Sequence, residues 1–265
     1  MGYRRLHFSR KHQIIAFLSK RCDGLTYTCR HGLIKGMRRR GGLGFLPGLL
    51  VSAETAETRF LESLPLQDKV IYDVGAFVGL MTLFFARQAK QVIAYEPNPP
   101  SYARALENVA LNSLNNVVLR NVAVGNQPAK LTLAYDPLMP GAASGDAAVR
   151  GQIEATANHT VSASVRVVRL DDDMLEAGLP APDFIKIDVE GMELAVLEGA
   201  AGMLSAHPAL YIELHGSDID NKNANARAVV EFLWEHGYRR ILDVETARFT
   251  NPKHVDRSSH LYATG

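Results

Sequence analysis

Lys69-Val70-Ile71-Tyr72-Asp73-Val74-Gly75-Ala76-Phe77-Val78-Gly79-Leu80-Met81-Thr82 is the stretch that decides the fold. An apolar, β-branched run ends in an acid and two spaced glycines, and a helical pattern starts at once, as in the strand, turn and helix of an α/β unit. Glycines in such a turn let the backbone approach a ligand, and the helix start beyond it offers unpaired N–H groups. The spacing is G-x-x-x-G, with Phe77 standing where a dinucleotide loop of the G-x-G-x-x-G kind needs the glycine that admits a pyrophosphate. Asp73 at the strand end repels phosphate and suits a ligand with an ammonium group. Taken alone, the motif also reads as a turn whose Asp caps the helix.

One step downstream, the next apolar run ends in Glu96-Pro97-Asn98, and Glu96 falls 21 residues after Gly75, where a ribose-binding acid belongs. A carboxylate there accepts hydrogen bonds from both ribose hydroxyls. The two motifs together specify a nucleoside with an amino-acid-like tail and no pyrophosphate. S-adenosylmethionine fits that description and a nicotinamide dinucleotide does not.

The alternation continues outward. Strands are predicted over 69–74, 91–95, 117–124, 184–188, 209–214, 238–242 and 260–263, with helices over 79–89, 99–113, 192–206 and 224–236, an α/β pattern of parallel strands covered by crossover helices. Trp234 belongs to the apolar stripe of the last helix and reads as core. Residues 126–170 differ in texture: strand-like runs at 130–135 and 165–169 flank a Gly/Ala/Ser-rich stretch, 137–164. This reads as an insertion, either a substrate-facing lid or a plain loop. Asn98-Pro99-Pro100-Ser101 resembles the N-P-P-aromatic motif of amino-directed nucleic-acid methyltransferases. Ser101 replaces the stacking aromatic and the motif follows the second strand, so it reads as helix-opening chemistry.

A second polar cluster lies in Asp183-Phe184-Ile185-Lys186-Ile187-Asp188-Val189-Glu190-Gly191-Met192-Glu193 and Leu210-Tyr211-Ile212-Glu213-Leu214-His215. Ligands of an open parallel sheet bind beyond the carboxyl ends of its strands, so Asp188, Glu190, Glu213 and His215 are placed to converge there. The alternative is structural: Glu193 favours a helix start and His215 partners a carbonyl.

The composition is that of a folded chain. With 265 residues, 47% of them hydrophobic, the length allows one large or two small domains and excludes disordered, collagenous and disulfide-stapled classes. Cys22 and Cys29 match no metal-ligand spacing and read as free thiols of a reducing compartment. The apolar runs at 14–18 and 49–51 are too short for a membrane span or a secretory core. Gly2 lacks the Ser or Thr that myristoylation wants, Leu6 standing there, and the Asn158-His159-Thr160 sequon reads as accidental. A cytoplasmic protein is expected. Charge is split: residues 1–50 hold 11 basic side chains and one acidic, the remaining 215 hold 18 and 27. Residues 1–50 are therefore read as a basic arm and 51–265 as the main domain, with Arg38-Arg39-Arg40 ahead of Gly41-Gly42 as a flexible junction. The arm suits an anionic membrane or nucleic acid, or organelle targeting, or packs against the acidic body.

The whole pattern resembles the FkbM family of S-adenosylmethionine-dependent methyltransferases. D-V-G-A-F-V-G-L-M-T at 73–82, E-P-N-P at 96–99, N-V-A-V-G at 121–125, R-L-D-D at 169–172, F-I-K-I-D-V-E-G-M-E at 184–193, L-E-G-A at 197–200 and I-E-L-H at 212–215 carry the resemblance over about residues 55–265. It implies a Rossmann-like class I methyltransferase sheet, mostly parallel, with an antiparallel edge hairpin at the C-terminus. It further implies a hydroxyl acceptor on a sugar, glycan or natural product. Asp73, Gly75, Ala76, Phe77, Gly79 and Thr82 then line the methionine part, Glu96 with Pro97 holds the ribose, and Asn121 to Ala123 border the adenine. Methyl transfer to a hydroxyl needs a base, for which His215 is the first choice and Asp188 the second, with Glu190 and Glu213 beside them. Alternatively Asp188 and Glu213 hold a magnesium ion that acidifies the hydroxyl. Two other functions stay open: a nucleic-acid methyltransferase using the basic arm, and a catalytically idle cofactor-binding or interaction module.

Overall fold

The structure, a computed structural model, describes residues 21–42, 55–136, 139–144, 161–255 and 258–265. The apolar runs at 14–18 and 49–51, Gly2, the Asn158 sequon, the boundary near residue 50 and much of 137–164 lie outside the described residues.

The glycine stretch folds as β3 (Val70–Val74) followed by α2 (Leu80–Ala86). Ahead of it come β1 (Thr26–Thr28), β2 (Arg38–Arg40) and α1 (Ala56–Ser63). Then follow β4 (Gln91–Tyr95), α3 (Pro99–Leu111), β5 (Val117–Arg120), β6 (Ala123–Val124), β7 (Ala129–Asp136), β8 (Met139–Ser144) and β9 (Val161–Val168). The chain continues through α4 (Leu170–Glu176), β10 (Phe184–Asp188), α5 (Glu193–Gly199), β11 (Ala209–Glu213) and α6 (Ile219–Glu235), and closes with β12 (Arg240–Asp243), β13 (Arg248–Thr250) and β14 (His260–Thr264).

The main sheet has the order β13-β12-β14-β11-β10-β3-β4-β5. From β5 through β11 every pairing is parallel, while β14 runs antiparallel to both β11 and β12. Every residue of β3 is buried, with Tyr72 and Val74 in the core on one face and Ile71 in the core on the other. Burial on both faces is why the parallel strands read as unbroken apolar runs. The chain reverses its winding at β3, so the tips of β3, β4, β10 and β11 open onto one crevice.

Several details differ from the sequence reading. The run 117–124 divides, because the chain leaves the main sheet after Arg120 and Ala123–Val124 joins a second sheet of order β6-β9-β7-β8. The stretch 126–170 therefore contains a sheet of its own. The helix expected over 192–206 ends at Gly199 and resumes as a 3-10 turn, Met203–Ala206. At the far end, β12 and β14 pair antiparallel as expected, and the three-residue β13 adds outside β12, leaving β14 inside the sheet. The R-L-D-D and L-E-G-A motifs turn out to tie the layers together. Asp171 accepts from the N–H groups of Gly202 and Met203 at 2.8 and 2.9 Å, and a side chain at Gly199 would meet the Gly125 carbonyl oxygen at 2.1 Å.

Arg38-Arg39-Arg40 is a strand and not a flexible junction. β2 pairs with β1 and docks on α3, where Asn108 and Asn112, four residues apart, share one face. Their amides stand in for a neighbouring strand: Arg38 N–H donates to Asn112 Oδ1 at 2.8 Å, Asn112 Nδ2 donates to Arg38 O at 2.6 Å, and Arg40 N–H donates to Asn108 Oδ1 at 2.8 Å. Arg104 adds an ion pair to Asp23 at 3.0 Å. Replacing both asparagines by alanine is expected to release the hairpin at a cost of about 2 kcal/mol. Hydrogen exchange would then speed up at residues 38–40 while β3 and β4 stay protected. Unchanged exchange at 38–40 would contradict this docking.

Candidate active site

The site grows from the tip of β3. Gly75 has φ +83, and a Cβ there would sit 1.8 Å from the carbonyl oxygen of Asp188, so the neighbouring strand as well as the turn requires glycine. The N–H groups of Gly75 and Ala76 both donate to Tyr95 O at 3.0 Å, folding the loop back over β4. Phe77 takes the left-handed conformation, φ 50, and its N–H donates to Glu96 Oε2 at 2.7 Å. Asn98 N–H donates to Glu96 Oε1 at 2.8 Å. Burial pushes the Glu96 carboxyl up to about 7 despite those two N–H groups, which pull it down. Asn121 turns its amide onto the carbonyls of Glu96 and Pro97 at 2.8 and 3.1 Å and shapes this loop from behind.

Beneath the loop lies a pairing the sequence reading missed. Lys186, in the middle of β10, is 3% exposed and reaches Asp73 at 3.3 Å, Asp188 at 3.1 Å and the Gly75 carbonyl at 2.9 Å. Burial favours loss of its proton, but the two carboxylates outweigh that and hold the ammonium charged. Asp73 is fully buried and also accepts from Thr82 Oγ1 at 2.6 Å. Its expected role as partner of a ligand ammonium therefore meets a competitor, since the chain supplies its own ammonium in Lys186.

The tips of β10 and β11 carry the acid and histidine cluster. His215 Nδ1 bonds Glu193 Oε1 at 2.8 Å, and its Nε2 lies 3.5 Å from Glu213 Oε1 and 3.8 Å from Asp188 Oδ1. Glu193 is fully buried at the start of α5 and is held by Asn225 Nδ2 at 2.7 Å; the same amide donates to His215 O at 3.0 Å. His260 sits on the other side of Glu213, 3.6 Å from Oε2, and pairs with Glu245. Burial works against the charge on His215, yet Glu193 and Glu213 raise its pKa to about 11. Glu213, between two imidazoliums, is held well below the usual carboxylate range although burial acts the other way. Burial pushes Glu190 up, and the charges of Asp188, Glu193 and Glu213 add to it.

This corrects the reason for choosing His215 as base: in the ligand-free site the ring is an imidazolium at neutral pH. The sign is definite. A histidine whose folded pKa lies near 11 and whose unfolded pKa lies near 6.5 contributes stability that is complete below about 6.5 and vanishes as pH rises through the folded value. His215→Gln is therefore expected to cost most stability near pH 6 and progressively less toward pH 11, followed by thermal unfolding. A deficit that does not vary with pH, or a His215 ring titrating near 6.5 by NMR, would contradict it.

A cavity of about 520 Å³ opens between the strand tips and the second sheet. Gly75, Phe77, Glu96 and Pro97, at and beyond the tips of β3 and β4, line it together with Ala123 and with Asp188, Glu190, Glu213 and His215, at and beyond the tips of β10 and β11. Leu131, Leu133 and Val167, from β7 and β9, form an apolar wall. Asp73, Ala76, Gly79, Thr82 and Asn121 are not among the lining residues and act on the cavity through the backbone and side chains they hold. Asp188, Glu213 and His215 also present one ligand atom each within 4.8 Å of one another, a donor set that could hold a divalent cation.

A sheet that reverses at a glycine loop, an acid at the tip of the second strand and a cavity with no lysine or arginine among its described lining residues define a Rossmann-like class I methyltransferase domain. Residues 73–240 match the Methyltransferase FkbM domain, and the chain belongs to that family. It is 30% identical over 158 residues to the hexuronic acid methyltransferase AglP of Haloferax volcanii, covering 59% of this chain and 60% of that protein. It is 29% identical over 180 residues to the 2-O-methyltransferase NoeI of Sinorhizobium fredii, covering 63% and 71%. A crystal structure of an FkbM methyltransferase from Methylobacillus flagellatus aligns at 20% identity with a TM-score of 0.49, covering 76% of this chain and 45% of that one. The chain spans about three fifths of the length of the first curated relatives it matches. Among the described residues no helix is long and apolar enough to cross a membrane.

Proposed function

We propose that the chain transfers a methyl group from S-adenosylmethionine to a hydroxyl on a sugar, glycan or natural-product acceptor. The observation that carries this reading is Glu96: a buried carboxylate lining the cavity with each oxygen holding one backbone N–H. Each oxygen keeps a second acceptor position, and the pair matches the two hydroxyls of a ribose. No lysine or arginine lines the described cavity to meet a pyrophosphate, and Lys186 is committed to Asp73 and Asp188.

When bound, S-adenosylmethionine supplies a methyl group on a sulfonium for in-line displacement. The chain's own residues do the rest. Glu96 orients the nucleoside, and the backbone of Gly75 to Phe77 borders the amino-acid tail. Leu131, Leu133 and Val167 exclude water from one side, so β7 and β9 serve as a cover over the cavity. Glu190 and Asp188 face the acceptor hydroxyl and take its proton, a carboxylate pushed up by burial being the better acceptor of the two. His215, clamped by Glu193 and Asn225, positions the acceptor oxygen as a hydrogen-bond donor.

The test is transfer of labelled methyl from S-adenosylmethionine to a panel of hydroxylated glycosides and polyketide-type alcohols, with the methylated atom located by mass spectrometry. Methyl on oxygen supports the reading, and methyl on nitrogen or carbon alone would overturn it. The donor set Asp188, Glu213 and His215 favours a second reading in which a divalent cation acidifies the hydroxyl. Turnover that is lost with chelator and restored by magnesium would decide for the cation.

A further inference from the structure

The β1–β2 hairpin precedes the family-matched residues 73–240 and supplies none of the residues that line the cavity. Its connecting loop sorts apolar from charged side chains. Gly36 N–H donates to Cys29 O at 2.9 Å and Cys29 N–H donates to Met37 O at 2.8 Å, and the loop so closed buries Cys29, Ile34 and Met37 in the core. Arg30 and Lys35 of the loop and Arg38 of β2 are left exposed. Arg87, at the end of α2, adds a further exposed guanidinium against the same loop, donating to Leu33 O at 3.2 Å. The nearby acids are already engaged: Asp23 pairs with Arg104 at 3.0 Å, and Glu107 pairs with Arg104 at 3.1 Å and with Arg40 at 3.6 Å. Among the described residues, Arg30, Lys35 and Arg38 make no ion pair. The flanking sequence brings few further acids, since residues 1–20 hold five Lys and Arg and no Asp or Glu, and residues 43–54 hold Glu54 alone. Both flanks carry apolar residues instead, the run 14–18 on one side and Phe45, Leu46, Leu49, Leu50 and Val51 on the other. Leu25, at the open end of the hairpin, is itself 52% exposed.

We propose that this hairpin docks the chain onto a membrane surface that carries anionic lipid headgroups. Cations alone suit any polyanion. The apolar residues that adjoin them in the chain separate a bilayer from a nucleic acid: guanidinium and ammonium groups meet headgroup phosphates and carboxylates, while Leu25 and the apolar flanks enter the boundary of the acyl chains. Those flanks are too short to span a bilayer, and interfacial binding does not require them to. Asn108 and Asn112 of α3 hold the backbone of β2, so Arg38 and the loop cations are presented from a fixed support and lose little freedom on contact. The surface acts independently of which hydroxyl the cavity accepts.

The experiment is vesicle flotation of the full chain. The probes are vesicles of phosphatidylcholine alone and of phosphatidylcholine mixed with an equal part of phosphatidylserine, and a duplex RNA oligonucleotide serves as the other polyanion. The wild type is expected to float with the phosphatidylserine vesicles only, less so as salt is raised, and to bind the RNA more weakly than those vesicles. Each Lys or Arg near such a surface contributes about fivefold in affinity, so the combined variant Arg30→Gln, Lys35→Gln, Arg38→Gln is expected to bind about a hundredfold more weakly while keeping native circular dichroism. If the combined variant loses that signal, the three single variants decide, each with an expected loss of about fivefold. A wild type that does not float, or that floats equally with both vesicles, overturns the proposal. So does a folded combined variant that loses less than about fivefold, or single variants that lose nothing. RNA bound more tightly than the phosphatidylserine vesicles overturns the lipid assignment in favour of a nucleic acid.

Discussion

Replacing Glu96 with glutamine is expected to weaken S-adenosylmethionine binding by roughly 100-fold. Two hydrogen bonds to a charged acceptor contribute about 1.5 kcal/mol each, and 3 kcal/mol is about two decades in affinity. The same carboxylate gathers the N–H groups of Phe77 and Asn98 at 2.7 and 2.8 Å, so alanine in its place would loosen the glycine loop and lose more. A pH signature separates this role from a purely structural one. Because burial places the Glu96 pKa at about 7, the carboxylate is ionised above that value and protonated below it. Affinity should fall as pH drops through about 7 in the wild type and stay level in Glu96→Gln. Calorimetry across that range checks both, and a Glu96→Gln protein that binds as tightly as the wild type would contradict the ribose assignment.

The second large effect is on stability. Lys186→Met removes the ammonium that lies between fully buried Asp73 and Asp188 and leaves an uncompensated charge under the glycine loop. Breaking a buried pair in this way costs about 3–5 kcal/mol, a fall in Tm on the order of 10 °C for a chain of this size. Adding Asp73→Asn to Lys186→Met should recover part of that loss, because the stranded carboxylate is gone. The two losses adding in full, or a Lys186→Met protein melting within about 2 °C of the wild type, would show that the pair is not what holds the loop.

The parts of this molecule visible from sequence are those with a local signal. The strands at 91–95 and 184–188 carry continuous apolar runs because both faces of the sheet are covered, and the structure reproduces their bounds as Gln91–Tyr95 and Phe184–Asp188. Asp188, Glu190, Glu213 and His215 were legible as one cluster because strand-tip residues of a parallel sheet share an edge. Contacts made across the fold leave no such trace. Lys186 looked like one polar residue in a buried strand, and only the register of β10 against β3 sets it beside Asp73. Glu193 read as a helix-start acid, which it is, but its grip on His215 and Asn225 depends on how α5 and α6 pack over β11. The charge on His215 follows from that packing, so a reference pKa could not reveal it. Arg38–Arg40 misled for the opposite reason: three adjacent arginines before two glycines look like a solvated joint, and the asparagine pair that makes them a strand lies 68 and 74 residues away.

The central claim is that the β3 and β4 tips form a site for an adenosyl ligand without a pyrophosphate. The most direct measurement is calorimetric titration of the purified chain with S-adenosylmethionine, S-adenosylhomocysteine and NAD. Micromolar binding of both adenosyl ligands with no heat from NAD is the predicted result. Binding of NAD, or of none of the three, would contradict the claim.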